Sequence, residues 1–340
     1  MHKPYYWKEP IPDFLEEARY QSSLLRLDEV GMHCGLEYTL FDYFSSVAPY
    51  SRYEHSFGVA LLAYHFTQDK KQAIAGLYHD LATPVFSHVV DFVMGDHLKQ
   101  EATEQPTRYL MTHDEEIMEY LKKQGVEVEE VVNYHLYPIC DCPAPKLSCD
   151  RLEYTLSNIL KFQLGDCFEV RKCLQDLEVG KNEFGEDEIV FNTPELASYF
   201  GQRMLILAHQ YTRKEDRYAM EALSRLLKEC ILHDVFTFND LYYWGEPDLI
   251  DAIECSSFHY SWAVYRSLYR VEDVRLDDPQ ALFTQAIPTK KRYIDPYVKG
   301  KGRLSQIDPE FGKKLQEFLQ QDFQEELTGY SSSLRPSIYR

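Results

Sequence analysis

Apolar positions recur at helical rather than strand spacing over most of this chain. In residues 52–66 (RYEHSFGVALLAYHF) they occupy much of the helical circumference, which predicts a buried helix with little wet face. A second helix is predicted over residues 71–78. Pro84 lies just beyond it and ends it, because proline lacks an N–H and clashes with the preceding turn. His79 and Asp80 therefore fall at a helix C-terminal end. Thr112-His113-Asp114-Glu115 has the form of a capping box and predicts a new helix with His113 in its first turn. Residues 138–149 (PICDCPAPKLSC) are proline-rich and predict a loop, and a further helix is predicted over 151–162. Between 178 and 191 two short β-branched runs flank a Gly/Asn turn, the pattern of a small β-hairpin. Helical spacing resumes over 194–211 and 219–236. The last part is punctuated by Pro279, Pro288, Pro296, Gly300, Gly302 and Pro309, which predicts an irregular tail with one terminal helix near 311–323. The fold class that follows is all-α or mainly α, in three parts. These are a helical core over 20–165, a helical extension over 166–275 carrying the hairpin, and a tail over 276–340.

Composition limits what such a fold can do. The 340 residues are 44% hydrophobic and 14% aromatic, enough for a large core and unlike a disordered chain. With 36 basic against 55 acidic side chains the net charge is −19, which argues against gripping duplex DNA, since counterion release requires a basic footprint. The single basic stretch (Lys290, Lys291, Arg292, Lys299, Lys301, Arg303) reads first as solvated surface, with a nucleotide or RNA contact as the alternative. Pro4, Glu9, Pro10 and Asp13 interrupt the place of a secretory leader, and the apolar run 59–64 falls short of the roughly 20 residues a membrane span needs. The expectation is a soluble cytoplasmic protein, without membrane or nucleic-acid partners, whose eight cysteines are free thiols. Cys140, Cys142 and Cys149 have only His135 nearby as a fourth zinc donor and read as small core residues.

The candidate chemistry lies in histidine and aspartate. His-Asp pairs occur at 79–80, 113–114 and 233–234, and the dipeptide alone carries little weight. The first differs in its surroundings, with Arg52-Tyr53-Glu54-His55-Ser56 upstream, Pro84-Val85-Phe86-Ser87-His88 after it, and Asp150-Arg151-Leu152-Glu153-Tyr154 downstream. His55, His79, Asp80 and Asp150 offer two imidazoles and two carboxylates, a mixed N/O set suited to one divalent cation with positions left for water and substrate.

These motifs together resemble the HD-domain phosphohydrolase superfamily, and within it the deoxynucleoside triphosphate triphosphohydrolase branch. RYEHS, HDLATPVFSH and DRLEY stand where that branch carries RFEHS, HDLGHxPFSH and DRxDY, and the likeness extends over roughly residues 20 to 270. The resemblance implies a metal-dependent phosphohydrolase acting on a nucleotide, first of all a deoxynucleoside triphosphate. It assigns His55, His79, Asp80 and Asp150 to one divalent metal ion, with Mn, Fe, Zn, Mg, Co and Ni all compatible with the donors. It places Arg52, Arg151 and Tyr154 near the phosphates and sugar, Asn158 where the branch holds the sugar 3′-hydroxyl with an aspartate, His88 with Asp91 beside the phosphates, and His113 as proton donor to the leaving oxygen. It also implies a homodimer or larger homo-oligomer through residues 195–211. The chain departs from the branch at Ala82-Thr83 (Gly-His), Glu153 (Asp) and Ser157-Asn158 (Arg-Asp). These departures keep open a phosphomonoesterase or phosphodiesterase on the same metal site, and a catalytically degenerate nucleotide-binding protein.

Overall fold

The computed structural model describes residues 3–94, 104–273, 281–333 and 338. Two short helices, α1 (Asp13–Ala18) and α2 (Ser22–Arg26), brace the outside of the core. Inside it runs α3 (Arg52–Thr67), buried from Arg52 to Ala63 except at Glu54, as its all-round apolar pattern requires. Ser51 caps α3 by accepting the Glu54 N–H at 3.1 Å. Packed against it, α4 (Lys70–Tyr78) is capped by Asp69 and stops at Tyr78, so His79 and Asp80 emerge from its C-terminal end. A turn follows in which Phe86 and Ser87 have positive φ (60° and 53°), and α5 (Val89–Met94) leaves from it.

α6 (Glu104–His113) and α7 (Glu115–Gln124) form the next pair, followed by α8 (Val128–Val131). Here one sequence expectation needs correction. The cap of α7 is Asp114, whose carboxylate accepts the Ile117 N–H at 3.1 Å, and Thr112 and His113 belong to the end of α6. Thr112 bonds the carbonyls of Arg108 and Tyr109 instead. α9 (Cys149–Lys161), started by Ser148, then lies across α3.

The extension contains α10 (Cys167–Asp176), the predicted hairpin of β1 (Leu177–Lys181) and β2 (Asp187–Phe191), α11 (Pro194–Gln210), α12 (Lys214–Leu232), α13 (Asp240–Tyr243), α14 (Glu246–Glu254) and α15 (His259–Arg266). No helix of the described residues is long and apolar enough to cross a membrane.

The tail is more ordered than its proline and glycine content suggests. β3 (Leu268–Glu272) and β4 (Ala281–Ala286) flank β7 (Glu326–Ser331) in one sheet, in the order β3-β7-β4. β5 (Tyr297–Val298) and β6 (Gly302–Arg303) extend the hairpin to β1-β2-β5-β6. α16 (Leu304–Ile307) and α17 (Pro309–Gln320) follow β6 and pack on α11. Arg303 ties tail to hairpin, its guanidinium forked onto Glu183 and Glu188 at 2.7 to 2.9 Å.

Two apolar clusters result. One gathers around α3, α4, α9 and α11 together with Phe311 and Phe318; the other surrounds α12, Phe86, Trp262 and Phe283. A cavity of about 730 Å³ takes its wall from both, with His55 and Asp150 on the first side and Asp216 and Met220 of α12 on the second. Residues 287–296, which join β4 to β5, form a strap along this cavity.

Candidate metal centre

His55, His79 and Asp80 each bring one donor atom within 4.8 Å of the others. Asp150 approaches from α9, its Oδ1 3.0 Å from His55 Nε2 and 3.9 Å from His79 Nε2. Each imidazole is turned by a fixed partner. His79 Nδ1 donates to the Gly76 carbonyl at 2.7 Å, and since a carbonyl only accepts, the Nε2 lone pair is left facing the cluster. His55 Nδ1 lies 2.6 Å from Glu153 Oε2, which likewise presents its Nε2 inward. Imidazoles oriented by a carboxylate or carbonyl behind them are the usual second layer of a metal site.

The electrostatics also suit a cation. Burial opposes charge on His55, yet bonds to Asp150 and Glu153 outweigh it and raise its pKa to about 10. Burial likewise works against ionised Asp80, but Arg52, His79 and His55 hold its carboxyl well below the usual range. The pocket is thus set for positive charge beside ionised carboxylates, and the donor set fits a divalent ion.

Glu153, the departure from the branch motif, is fully buried and central to this arrangement. Besides His55 it accepts from Ser157 at 2.6 Å, Tyr6 at 3.3 Å and Tyr50. Its extra methylene relative to aspartate is accommodated by Gly58 of α3. A Cβ there would meet Glu153 Cγ at 2.6 Å and Oε1 at 2.7 Å. Four hydrogen bonds hold that side chain, so it cannot move aside without loss. In an open helix Gly→Ala would stabilise by about 1 kcal/mol; for Gly58→Ala we expect a lower melting temperature and weaker metal retention, measured by thermal unfolding and metal titration.

The remaining predicted residues divide. Arg52, His88, Arg151, Tyr154 and Asn158 all line the cavity. Arg52 is 7% exposed and already engaged, by Asp80 Oδ2 at 2.8 Å and Ser87 Oγ at 3.0 Å, so in this arrangement it orients a ligand carboxylate. His88 and Asp91 pair as expected, Nδ1 to Oδ2 at 3.0 Å. Both ends of the Asn158 amide are occupied, by His33 Nε2 at 3.3 Å and the Tyr211 hydroxyl at 2.8 Å. His113 is not brought to the cavity: it is exposed, stacked on Tyr109 at 3.9 Å and bonded to that residue's carbonyl. Cys140, Cys142 and Cys149 are buried free thiols and belong to no metal-ligating group among the described residues.

Sequence reasoning passed over His33, Tyr211 and Asp216, which no motif marked, and the basic stretch is solvated only in part. Thr289 and Arg292 are half-buried in the cavity wall, and Lys290, though exposed as expected, lines it too. Three consecutive cations in an acidic chain were the available signal. Lys299, by contrast, is an exposed partner of Glu178.

Helical core, metal-ligating cluster and adjoining cavity are the parts of a metal-dependent hydrolase. Residues 52–143 match the HD domain. The chain is 28% identical over 249 residues to the uncharacterized protein YdhJ of Bacillus subtilis, covering 73% of this chain and 74% of that one. It is 30% identical over 115 residues to the metal-dependent phosphohydrolase cns2 of Cordyceps militaris, a match spanning 33% of this chain and 32% of that protein. Among solved structures, a phosphohydrolase from Bacteroides thetaiotaomicron superposes with a TM-score of 0.62 at 13% identity, covering 95% of this chain and 96% of that one. A hypothetical protein from Aquifex aeolicus gives a TM-score of 0.61 at 16% identity over 94% and 93% of the two chains. At such identities these two structures speak to the fold.

Proposed function

We propose that the protein hydrolyses a phosphate ester or anhydride of a nucleotide, with a deoxynucleoside triphosphate as the first substrate to test. The observation that carries this reading is the cavity itself. From the His/Asp cluster it continues along Arg151 to a wall of Tyr154, Asn158, Tyr211 and His33, so one ligand with phosphates at one end and hydrogen-bonding groups at the other fills it. Its volume of about 730 Å³ lies within the range of small-molecule sites. A divalent cation held by His55, His79, Asp80 and Asp150 supplies Lewis acidity toward phosphoryl oxygen and lowers the pKa of water beside it.

The chain's own residues do the rest. Arg151, on the cavity wall, offers guanidinium donors to phosphate oxygen as negative charge spreads in the transition state. Arg52 holds Asp80, and Glu153 holds His55, so the donors keep their geometry through turnover. Tyr154 and Tyr211 take the sugar end, and Asn158 fixes Tyr211 there. His88 is the cavity's candidate proton carrier, ahead of His113, which is not among the lining residues. For His113→Ala we expect turnover within about twofold of the parent, the range of a surface change remote from the chemistry, read by steady-state kinetics.

A second reading, a phosphomonoesterase on the same metal, has its own support. Thr83 is 2% exposed, its carbonyl is tied to Arg26 at 2.8 Å, and it places no imidazole over the cavity. Metal analysis followed by a nucleotide screen with product identification separates the two. Tripolyphosphate supports the first, orthophosphate the second, and no turnover of any nucleotide with Mn, Fe, Zn, Mg, Co or Ni overturns both.

A further inference from the structure

The strap formed by residues 287–296 is fixed from several sides. Arg217 Nη1 donates to the Ile287 carbonyl at 2.8 Å, Arg151 Nη1 to that of Tyr293 at 3.3 Å, and the Asp295 N–H to Pro145 at 3.0 Å. Lys291 turns away, its Nζ 2.6 Å from the carbonyls of Leu319 and Gln321 at the C-terminal end of α17. Lys290 and Arg292 line the cavity.

Arg292 Nη2 lies 3.0 Å from His88 Nε2. A guanidinium has donors only, so the ring nitrogen accepts, and the ring's proton sits on Nδ1, which donates to Asp91. His88 in this state is neutral and its lone pair toward the cavity is covered. The charged and titratable groups facing it are Asp91 from α5, which begins just after it, Arg52 from α3, Arg292 from the strap, and the Cys34 thiol beside its backbone. Burial, with Arg292 and Arg52, outweighs Asp91 and lowers the His88 pKa to about 4.

We propose that Arg292, assisted by Lys290, binds a substrate phosphate, and that the phosphate takes Arg292 in exchange for His88, uncovering Nε2 at the reacting end of the cavity. This deepens the reading of the cavity as a phosphate site and rests on it. The exchange runs in the favourable direction, because a phosphate oxygen brings opposite charge and a bidentate geometry to the guanidinium, whereas a neutral ring nitrogen offers one uncharged acceptor. It also supplies the phosphate-binding cation that Arg52, already held by Asp80 and Ser87, does not.

The test uses full-length protein loaded with a diamagnetic cation and inorganic tripolyphosphate as probe. By calorimetry, Arg292→Gln weakens tripolyphosphate binding roughly tenfold or more, the worth of a charge-assisted bond. Lys290→Gln weakens it less, and Arg292→Lys recovers part of the loss. By NMR, tripolyphosphate perturbs the His88 ring in the parent, and in Arg292→Gln the ring titrates at higher pH than in the parent without any ligand. Where Arg292→Gln does not fold, Lys290→Gln and Arg292→Lys carry the test. Unchanged tripolyphosphate affinity in the folded variants, or no binding by the parent, overturns the proposal. Lost tripolyphosphate binding together with no nucleotide turnover overturns the nucleotide reading and leaves this assignment standing.

Discussion

Asp80→Ala is expected to empty the metal site and to lower turnover by roughly 10³-fold or more, since the cation's charge stabilisation is worth several kcal/mol and each 1.4 kcal/mol is tenfold. The carboxylate lies where α4 ends, between the Arg52 guanidinium at 2.8 Å and the two imidazoles. Its removal has a second effect. Arg52 is buried, and a buried cation stripped of its partner destabilises a fold by about 3–5 kcal/mol. Asp80→Asn keeps the shape and a hydrogen-bonding oxygen, so the pair separates loss of metal from loss of fold. Elemental analysis and thermal unfolding read the two. Full metal content and full turnover in Asp80→Ala would remove the metal site from the mechanism.

The second large effect is expected at Glu153, which touches no substrate. Glu153→Gln should weaken metal binding by about 10–100-fold, the usual cost of losing the carboxylate behind a ligating histidine. A glutamine carries one carbonyl oxygen for the four donors of His55, Ser157, Tyr6 and Tyr50. Glu153→Ala goes further and leaves buried hydroxyls unpaired, each worth about 1–3 kcal/mol, so it should unfold at markedly lower temperature even with metal in excess. Metal titration by calorimetry and thermal melts decide. Wild-type affinity in Glu153→Gln would show that His55 keeps its orientation unaided.

Much of this was legible along the chain, for reasons that differ residue by residue. α3 reads as buried because its apolar positions surround it, and His79 and Asp80 read as a helix end because Pro84 stops α4. Local pattern and structure agree wherever a few neighbouring residues decide. They part where the deciding partner is remote. The role of Glu153 depends on a missing Cβ at Gly58, on another helix. β3 pairs with β7 across more than fifty positions, a partnership no local periodicity can display, so the tail looked irregular. His113 stands at the end of α6 rather than the start of α7 for a nearer reason. Two adjacent residues could each cap α7, and Asp114 took the position, leaving the histidine on the outer face of the preceding turn.

The order of the second sheet bears on how the protein is made. β7 lies between β3 and β4, although both of those precede it in the chain. A growing polypeptide therefore carries all the metal-ligating side chains long before β4, from which the strap departs, has its sheet partner. N-terminal parts fold first during synthesis, so a ribosome-bound intermediate can gather His55, His79, Asp80 and Asp150 while one anchor of the wall bearing Arg292 is still missing. Full assembly of the cavity is withheld until residue 331 has been translated, which ties catalytic competence to the synthesis of β7, far downstream of the metal-ligating residues.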